Sequence, residues 1–174
     1  MYFCEGATRT VVVLNGTTAK CRNYTPVLQA FAQAGYFVTC PESTNTGSGR
    51  DGMRALVVAE KYGADLDFIL STGHSQGGVG SVATAYLAQK EYPNSIIDIL
   101  PFEPAFSMNR SFPRMAPEIR GKKLVVCGRT DRAVPCSDVR RGFALFKEPK
   151  TFKVVPAGHL GANREWIKLI PFFN

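Results

Sequence analysis

The residues 71–80, STGHSQGGVG, place Ser75 between Gly73 and Gly77 in the pattern G-x-S-x-G. An apolar segment precedes the pattern and an amphipathic segment follows it, so the serine falls at a predicted strand-to-helix turn. Such a turn is sharp and strained, and glycines leave room for it to hold the hydroxyl clear of the sheet. The helix beginning beneath the serine favours developing negative charge. The pattern predicts a nucleophilic serine; the alternative is a glycine-rich turn without chemistry.

A serine hydroxyl is a poor nucleophile without a base, and the chain has only two histidines. His74 adjoins Ser75 in the turn, so we expect its side chain to point elsewhere and to support the turn. His159, in PAGHLGANR, follows the last predicted strand, where a loop beyond a strand end is expected. Position and elimination therefore predict His159 as the base; the alternative is a surface loop histidine.

A carboxylate is needed to orient the histidine and to stabilise its charged form. In enzymes with this kind of serine turn, the acid lies between the serine and the histidine in the chain. Asp131, in GRTDRAVP, stands directly after the predicted strand KLVVCG. Glu103, in PFEPA, follows the preceding strand and is the alternative. We predict Asp131 as the acid.

Hydrolysis through an acyl-enzyme also requires donors for the oxyanion of the tetrahedral intermediate. The backbone N–H of Gln76, the residue after the serine, is the first expected donor. The second is expected from LNGTTAK, the loop after the first strand, where Thr17 is the favoured residue and Thr18 the alternative. The alternative is that this loop is an ordinary Asn-Gly turn without a role in binding.

Short apolar segments alternate along the chain with segments of helical periodicity. The predicted strands are residues 10–16, 36–41, 67–73, 95–101, 123–128 and 151–156. The predicted helices are residues 24–34, 53–63, 76–90 and 164–173. This alternation predicts an α/β fold in a single domain over residues 1–174, with a mostly parallel sheet of about six strands and helices on both faces. The working residues are then expected beyond the carboxyl ends of the strands.

The charge of the chain is uneven, because 14 of the 21 Lys and Arg residues follow Phe106 and the net charge is +7. These basic residues are scattered and accompany no nucleic-acid motif, so we expect a basic solvated face and no nucleic-acid partner. No apolar run approaches the roughly 20 residues of a membrane helix, so no integral membrane contact is expected. The five cysteines contain no CxxC pair, which disfavours a zinc or redox site.

Taken together, these motifs make the chain resemble a small α/β-hydrolase, and in particular the bacterial cutinases and polyester hydrolases of the dienelactone-hydrolase-like group. The likeness rests on GHSQGG, TNT at 44–46, LPFEPA, GRTDRAVP and the Gly-His pair before Leu160. An aromatic clamp is usual in that group after the fourth strand; here the clamp is either Phe106 or absent. Thr17 and Gln76 depart from the aromatic residue and the methionine that are usual in that group. The chain lacks the two strands that open the sheet in larger relatives, and in this respect it is closer to the minimal lidless bacterial lipases. This likeness implies an open site without a large cap.

The resemblance to fungal cutinases implies a disulfide around the acid loop, between Cys127 and Cys136; the alternative is two free thiols. The first residues, MYFCEGATRT, have neither the basic nor the apolar region of a signal peptide. Either the protein is not exported or its signal has been removed, and of the two we expect secretion. We also expect a monomer.

The function expected from these features is hydrolysis of a small-molecule or polymeric carboxylic ester by a Ser-His-Asp triad, without a metal or an organic cofactor. Thioesterases, acyltransferases and peptidases are alternatives in the same fold. A non-catalytic binding protein on the same scaffold is an alternative of another class.

Overall fold

The computed structural model describes residues 6–43, 45–160 and 163–173. Six strands form one sheet in the order β2-β1-β3-β4-β5-β6, and every neighbouring pair is parallel. The strands are β1 (Arg9–Leu14), β2 (Tyr36–Thr39), β3 (Phe68–His74), β4 (Ile96–Phe102), β5 (Lys123–Gly128) and β6 (Lys150–Val155). The predicted parallel sheet is confirmed, with each predicted strand present and its ends within two residues of the prediction.

Six α-helices connect or follow the strands in the described part of the chain. They are α1 (Thr25–Gln33), α2 (Arg50–Lys61), α3 (Gln76–Glu91), α4 (Phe112–Met115), α5 (Cys136–Phe143) and α6 (Asn163–Ile167). The short helices α4 and α5 were not predicted. The helix predicted over residues 164–173 is wrong in its second half, where a 3₁₀ turn at Ile170–Phe173 follows α6. Pro171 explains this, because it has no backbone N–H to continue an α-helix.

The sheet has an apolar core on each face, which confirms the prediction of helices on both sides. On one face the sheet packs against α2, α3 and α5 through side chains such as Leu56, Val82 and Val139. On the other face it packs against α1 and the C-terminal segment through Phe31, Trp166 and others. Most strand residues are buried on both faces, and this is why the strands read as continuous apolar runs rather than as alternating ones.

The parallel arrangement brings the carboxyl ends of the strands to one edge of the sheet. Ser75 follows β3 directly and Glu103 follows β4 directly. Asp131 lies three residues after the end of β5, and His159 lies four residues after the end of β6. The topology therefore collects the polar residues singled out by the sequence at one end of the molecule.

The connection from β4 to β5 contains only α4 and two 3₁₀ turns, so the described residues form no large cap over this edge. None of the described helices is long and apolar enough to span a membrane.

Two disulfides tie loops to the sheet. The bridge between Cys127 and Cys136 joins the end of β5 to the start of α5 and encloses the loop that carries Asp131. A second bridge, which was not predicted, joins Cys21 to Cys40 beyond the end of β2. The fifth cysteine, Cys4, lies outside the described residues.

Candidate active site

Ser75 lies in a tight turn between β3 and α3, with a φ of 56° that non-glycine residues rarely adopt. The flanking glycines make this turn sterically feasible. A Cβ at position 73 would lie 2.2 Å from the carbonyl oxygen of Gly77, and a Cβ on Gly77 would lie 2.1 Å from that of Leu14. A Cβ on Gly78 would come within 2.8 Å of Pro104, which follows β4. The glycines thus let α3 start directly against the ends of β1 and β4.

The backbone of the turn is held by the segment after β4. The N–H of Ser75 donates to the carbonyl of Phe102 at 3.1 Å, and the N–H of Ala105 donates to the carbonyl of Ser75 at 3.0 Å. The N–H groups of Gly78 and Val79, in the first turn of α3, also donate to the Ser75 carbonyl. These bonds fix the direction of the serine side chain against the strained backbone.

A continuous chain of hydrogen bonds joins Ser75 to His159 and Asp131. The serine Oγ lies 3.1 Å from Nε2 of His159, and Nδ1 of the same ring lies 2.8 Å from Oδ2 of Asp131. The imidazole is half-buried, and Asp131 is buried. This is the spatial arrangement in which a histidine can take a serine proton while a carboxylate holds the ring.

Both loops that carry the acid and the base are fixed by backbone contacts. Oδ1 of Asp131 accepts the N–H groups of Ala133 and Val134 at 2.8 and 2.9 Å, which leaves Oδ2 free to face His159. Thr130 donates both its N–H and its hydroxyl to the carbonyl of Ala157. The acid loop and the histidine loop therefore support each other.

Thr17 and Gln76, the predicted oxyanion residues, lie on either side of the serine. Gln76 is the first residue of α3, so its N–H has no acceptor within the helix and can face a ligand. Thr17 is exposed and lines a cavity that also contains Ser75. Thr18, the alternative, lies in the same turn with a φ of 63°. A Cβ on Gly16 would lie 3.4 Å from the Cβ of Ser75, so this loop directly approaches the serine.

Asn15 holds the loop before Thr17 and was missed by the sequence reasoning. Its buried Nδ2 lies within hydrogen-bond distance of the carbonyls of Gly16, Ala19 and Ser43, at 3.1, 2.8 and 2.7 Å. The Thr46 hydroxyl in turn donates to the Asn15 carbonyl at 2.8 Å. These contacts connect the proposed oxyanion loop to the loop after β2.

His74 points away from Ser75, as predicted, and belongs to a second buried chain of hydrogen bonds. Its Nδ1 lies 3.2 Å from the Tyr24 hydroxyl, and its Nε2 lies 3.1 Å from Oε2 of Glu103. Tyr24 accepts the N–H of Gly16 at 3.1 Å, so its own proton is available for His74. Tyr24 is a further residue that the sequence reasoning missed, because its partner His74 is 50 positions away.

The protonation of this second chain follows from its burial. Desolvation raises the pKa of Tyr24, with a smaller opposing effect of the hydrogen bond from Gly16 and a further rise from the charge of Glu103. Tyr24 is therefore a neutral hydroxyl that donates to His74. His74 can then carry its proton on Nε2 and donate it to Glu103.

Glu103, the alternative acid, is fully buried beside the hydrogen-bonded chain of Ser75, His159 and Asp131, but it is not the nearest carboxylate to His159. Its Oε2 lies 3.8 Å from Nδ1 of His159, whereas Asp131 lies within hydrogen-bond distance. The side chains of His74, Glu103 and His159 also place potential metal-ligand atoms within 4.8 Å of one another. Ring nitrogens of both imidazoles are engaged in hydrogen bonds there, and metal binding would require these bonds to be given up.

Two cavities meet at Ser75 and His159. One, of about 590 Å³, runs between the segment after β4 and α5, and its walls include Phe106, Met108, Arg110 and Leu145. The other, of about 540 Å³, lies against the Thr17 loop and is lined by threonine and asparagine side chains as well as Leu160. The serine is thus accessible from an open cleft with a more apolar and a more polar side.

Phe106, the predicted clamp, is buried rather than free at the mouth of this cleft. Its ring stacks on Phe112, with centroids 4.1 Å apart, and contacts Phe146 edge-on. A Cβ on Gly142 of α5 would lie 2.1 Å from the Phe106 ring. Phe106 therefore forms a fixed wall of the apolar cavity.

Comparison with known proteins gives matches at the level of structure. No protein-family profile matches the chain, and no curated protein sequence matches it. An alpha-beta serine hydrolase homologue of Coxiella burnetii is similar with a TM-score of 0.71 and 18% identity, over 93% of this chain and 83% of its own. An esterase of Pyrococcus furiosus is similar with a TM-score of 0.72 and 18% identity, over 98% of this chain and 83% of its own. A monoacylglycerol lipase of Paleococcus ferrophilus is similar with a TM-score of 0.71 and 16% identity, over 94% of this chain and 93% of its own.

The chain therefore has the α/β-hydrolase fold, as its motifs predicted. At these identities the likeness defines the fold alone, and function has to be argued from the site.

Proposed function

We propose that the protein is a serine carboxylic-ester hydrolase. The observation that carries this proposal is the hydrogen-bonded chain from Asp131 through His159 to Ser75, which ends in an open cleft. The strained φ of Ser75 and the helix that begins at the next residue add to it. The esterase and the lipase with the same fold are in keeping with this reaction class.

In the proposed reaction, His159 Nε2 takes the proton of Ser75, and the serine Oγ attacks the ester carbonyl carbon. The N–H groups of Gln76 and Thr17 bind the oxyanion of the tetrahedral intermediate. His159 then gives the proton to the leaving alcohol, which departs and leaves an acyl-serine. His159 then takes a proton from water, whose oxygen attacks the acyl carbon. The bond between the acyl group and the Ser75 oxygen breaks, His159 returns the proton to that oxygen, and the acid is released. Asp131 holds the imidazole and stabilises its charged form throughout.

The substrate class that we propose is an ester with an apolar portion, because the cavity walled by Phe106 and Leu145 is the more apolar side of the cleft. The described residues place no large cap over the serine, so bulky or polymeric esters such as polyesters have access. Secretion is part of the proposal and is supported by the two disulfides, since such bonds form and persist in oxidising compartments.

Thioesters and amides would react at the same nucleophile, and an acyltransferase would differ only in the acceptor of the acyl group. A panel of nitrophenyl esters of increasing acyl length, with matched thioesters and peptides, tests the reaction class. We expect ester turnover that Ser75→Ala reduces by about 10⁴-fold or more. Equal turnover by Ser75→Ala, or none by the wild type, would contradict the proposal. A separate film-erosion assay tests the polyester substrate.

A further inference from the structure

Glu103 has no part in the proposed reaction, yet the fold buries its carboxylate completely at the centre of the site. Its backbone is also strained, with a φ of 47°. Burying a carboxylate and holding a non-glycine residue in this backbone region both cost free energy. Strained positions of this kind persist only where the surrounding structure holds them, and they are frequent at functional sites.

The Glu103 carboxylate lies between the two imidazoles of the site. Its Oε2 is 3.1 Å from Nε2 of His74 and 3.8 Å from Nδ1 of His159. The two rings are close to each other, with centroids 4.6 Å apart. Since Asp131 also contacts Nδ1 of His159, two buried carboxylates face this one nitrogen.

The neighbouring strand β5 holds the carboxylate in this position. The N–H of Glu103 donates to the carbonyl of Val126 at 2.8 Å. Gly128, at the end of β5, leaves the space that the carboxylate fills, because a Cβ there would lie 2.1 Å from Oε1. Oε1 is buried, and it has no hydrogen-bond partner within the described part of the chain. The carboxylate therefore has one oxygen with spare accepting capacity, while its other oxygen lies 3.8 Å from Nδ1 of His159.

The direction of the hydrogen bonds in the second chain suits a charged Glu103. Gly16 donates to Tyr24, Tyr24 can donate to His74, and His74 can then donate from Nε2 to Glu103. A donor of this kind stabilises a carboxylate without neutralising its charge. Within the described part of the chain, the titratable groups that contact the His159 ring are Asp131, Glu103 and His74.

We propose that Glu103 is a second acid for His159, a positioning residue that stabilises the imidazolium and that accepts the Nδ1–H hydrogen bond when Asp131 is absent. This inference rests on the proposed function. When the proton of Ser75 moves to Nε2 of His159, Nδ1 keeps its own proton and the ring becomes positive. Glu103 gains and loses no proton; its negative charge, close to the ring in a buried site, offsets the new positive charge.

A double-mutant cycle on kcat/KM tests this role. The background variant is Asp131→Ala, because an asparagine would bind the amides of Ala133 and Val134 through its oxygen and turn its NH₂ toward Nδ1. We expect Glu103→Gln to lower kcat/KM about tenfold in the wild type and about a hundredfold in Asp131→Ala, since neighbours that share one partner are not additive. If Glu103→Gln lowered kcat/KM by the same factor in the wild type and in Asp131→Ala, the proposal would be overturned.

Tyr24→Phe is the matched control, because it cuts the second chain at its far end and leaves the Glu103 charge in place. We expect it to lower kcat/KM by the same factor in both backgrounds. Should Glu103→Gln fail to fold, Glu103→Asp replaces it, since the shorter side chain draws the carboxylate back from Nδ1 of His159 without removing its charge. This variant too is expected to lower kcat/KM more in Asp131→Ala than in the wild type. A decrease by the same factor in both backgrounds would again overturn the proposal.

A measurement without substrate separates this proposal from the proposed function. The His159 Nδ1 proton should give a far-downfield proton NMR signal in Ser75→Ala/Asp131→Ala, where Glu103 alone accepts it. Adding Glu103→Gln should abolish the signal, and adding Tyr24→Phe should leave it in place. A signal unchanged by Glu103→Gln would contradict the role of Glu103, whereas absence of ester turnover in the wild type would contradict the proposed function only.

Discussion

Ser75 and Glu103 occupy equivalent positions on neighbouring strands, each one residue beyond the paired residues His74 and Phe102. Both have a positive φ, of 56° and 47°. Their backbones are connected, because Ser75 donates to Phe102 and its carbonyl accepts from Ala105, on either side of Glu103. The strained serine turn is thus held by residues that flank a second strained position.

The proposed oxyanion loop depends on Asn15, whose side chain contacts three carbonyls. We expect Asn15→Ala to lower kcat by about 10²-fold with little change in KM, because a mobile donor at Thr17 weakens binding of the transition state more than binding of the ester. Steady-state kinetics on a nitrophenyl ester check this. Thr84→Val, which removes another buried side-chain bond to a carbonyl, is the control for general destabilisation. An equal fall in kcat for both variants would contradict the role of Asn15.

The apolar cavity should set the preference for acyl length. Leu145 is half-exposed on its wall, and Leu145→Trp should narrow the cavity. We expect kcat/KM to fall roughly tenfold for an octanoate ester and to stay unchanged for an acetate ester. The control is Val57→Trp, at a similarly exposed position on α2. A fall of the same size for both esters would show that acyl chains do not enter this cavity.

The disulfide between Cys127 and Cys136 should stabilise the acid loop. Opening it with Cys136→Ser is expected to lower the free energy of unfolding by ~2–3 kcal/mol and to lower kcat as the Asp131 loop loosens. Cys40→Ser, which opens the other bridge, should cost similar stability with less effect on kcat. Denaturant unfolding and ester kinetics measure both quantities. If the two variants lost kcat equally, the bridge would have no specific role at the acid loop.

Asp98 should give the stability of the fold a particular pH dependence. Burial raises the pKa of Asp98 above its ordinary value of 3.8, and the Lys122 N–H and the charges of Lys122 and Lys123 offset this only in part. The folded protein therefore holds this proton to higher pH than the unfolded chain, and the contribution of the group to stability falls as pH rises from about 4. In Asp98→Asn this loss is removed, so the difference in free energy of unfolding, variant minus wild type, should increase between pH 4 and pH 7. A constant or decreasing difference would contradict this.

The sequence predicted the parts of the molecule that depend on local patterns. Buried parallel strands read as apolar runs, and the residues after each strand end could therefore be assigned to one edge. The roles proposed for Ser75, Asp131 and His159 followed from their positions after strands and from the small number of histidines.

Contacts between distant segments could not be predicted in this way. The partners of His74 lie 50 and 29 positions away, and no local pattern marks Tyr24 or Glu103 as its neighbours. The same holds for Asn15, whose contact with Ser43 spans 28 positions. Helix α5 was missed because it has only eight residues and only Val139 and Gly142 are buried, so few apolar residues mark it in the sequence.

Covalent labelling tests the nucleophile most directly. Incubation with a fluorophosphonate, followed by mass mapping of peptides, should place one phosphonyl group on Ser75. Ser75→Ala should take up no label, and His159→Ala should react far more slowly, because its serine lacks a base. Equal labelling of Ser75→Ala and the wild type, or modification at another residue only, would contradict the assignment of Ser75 as the nucleophile.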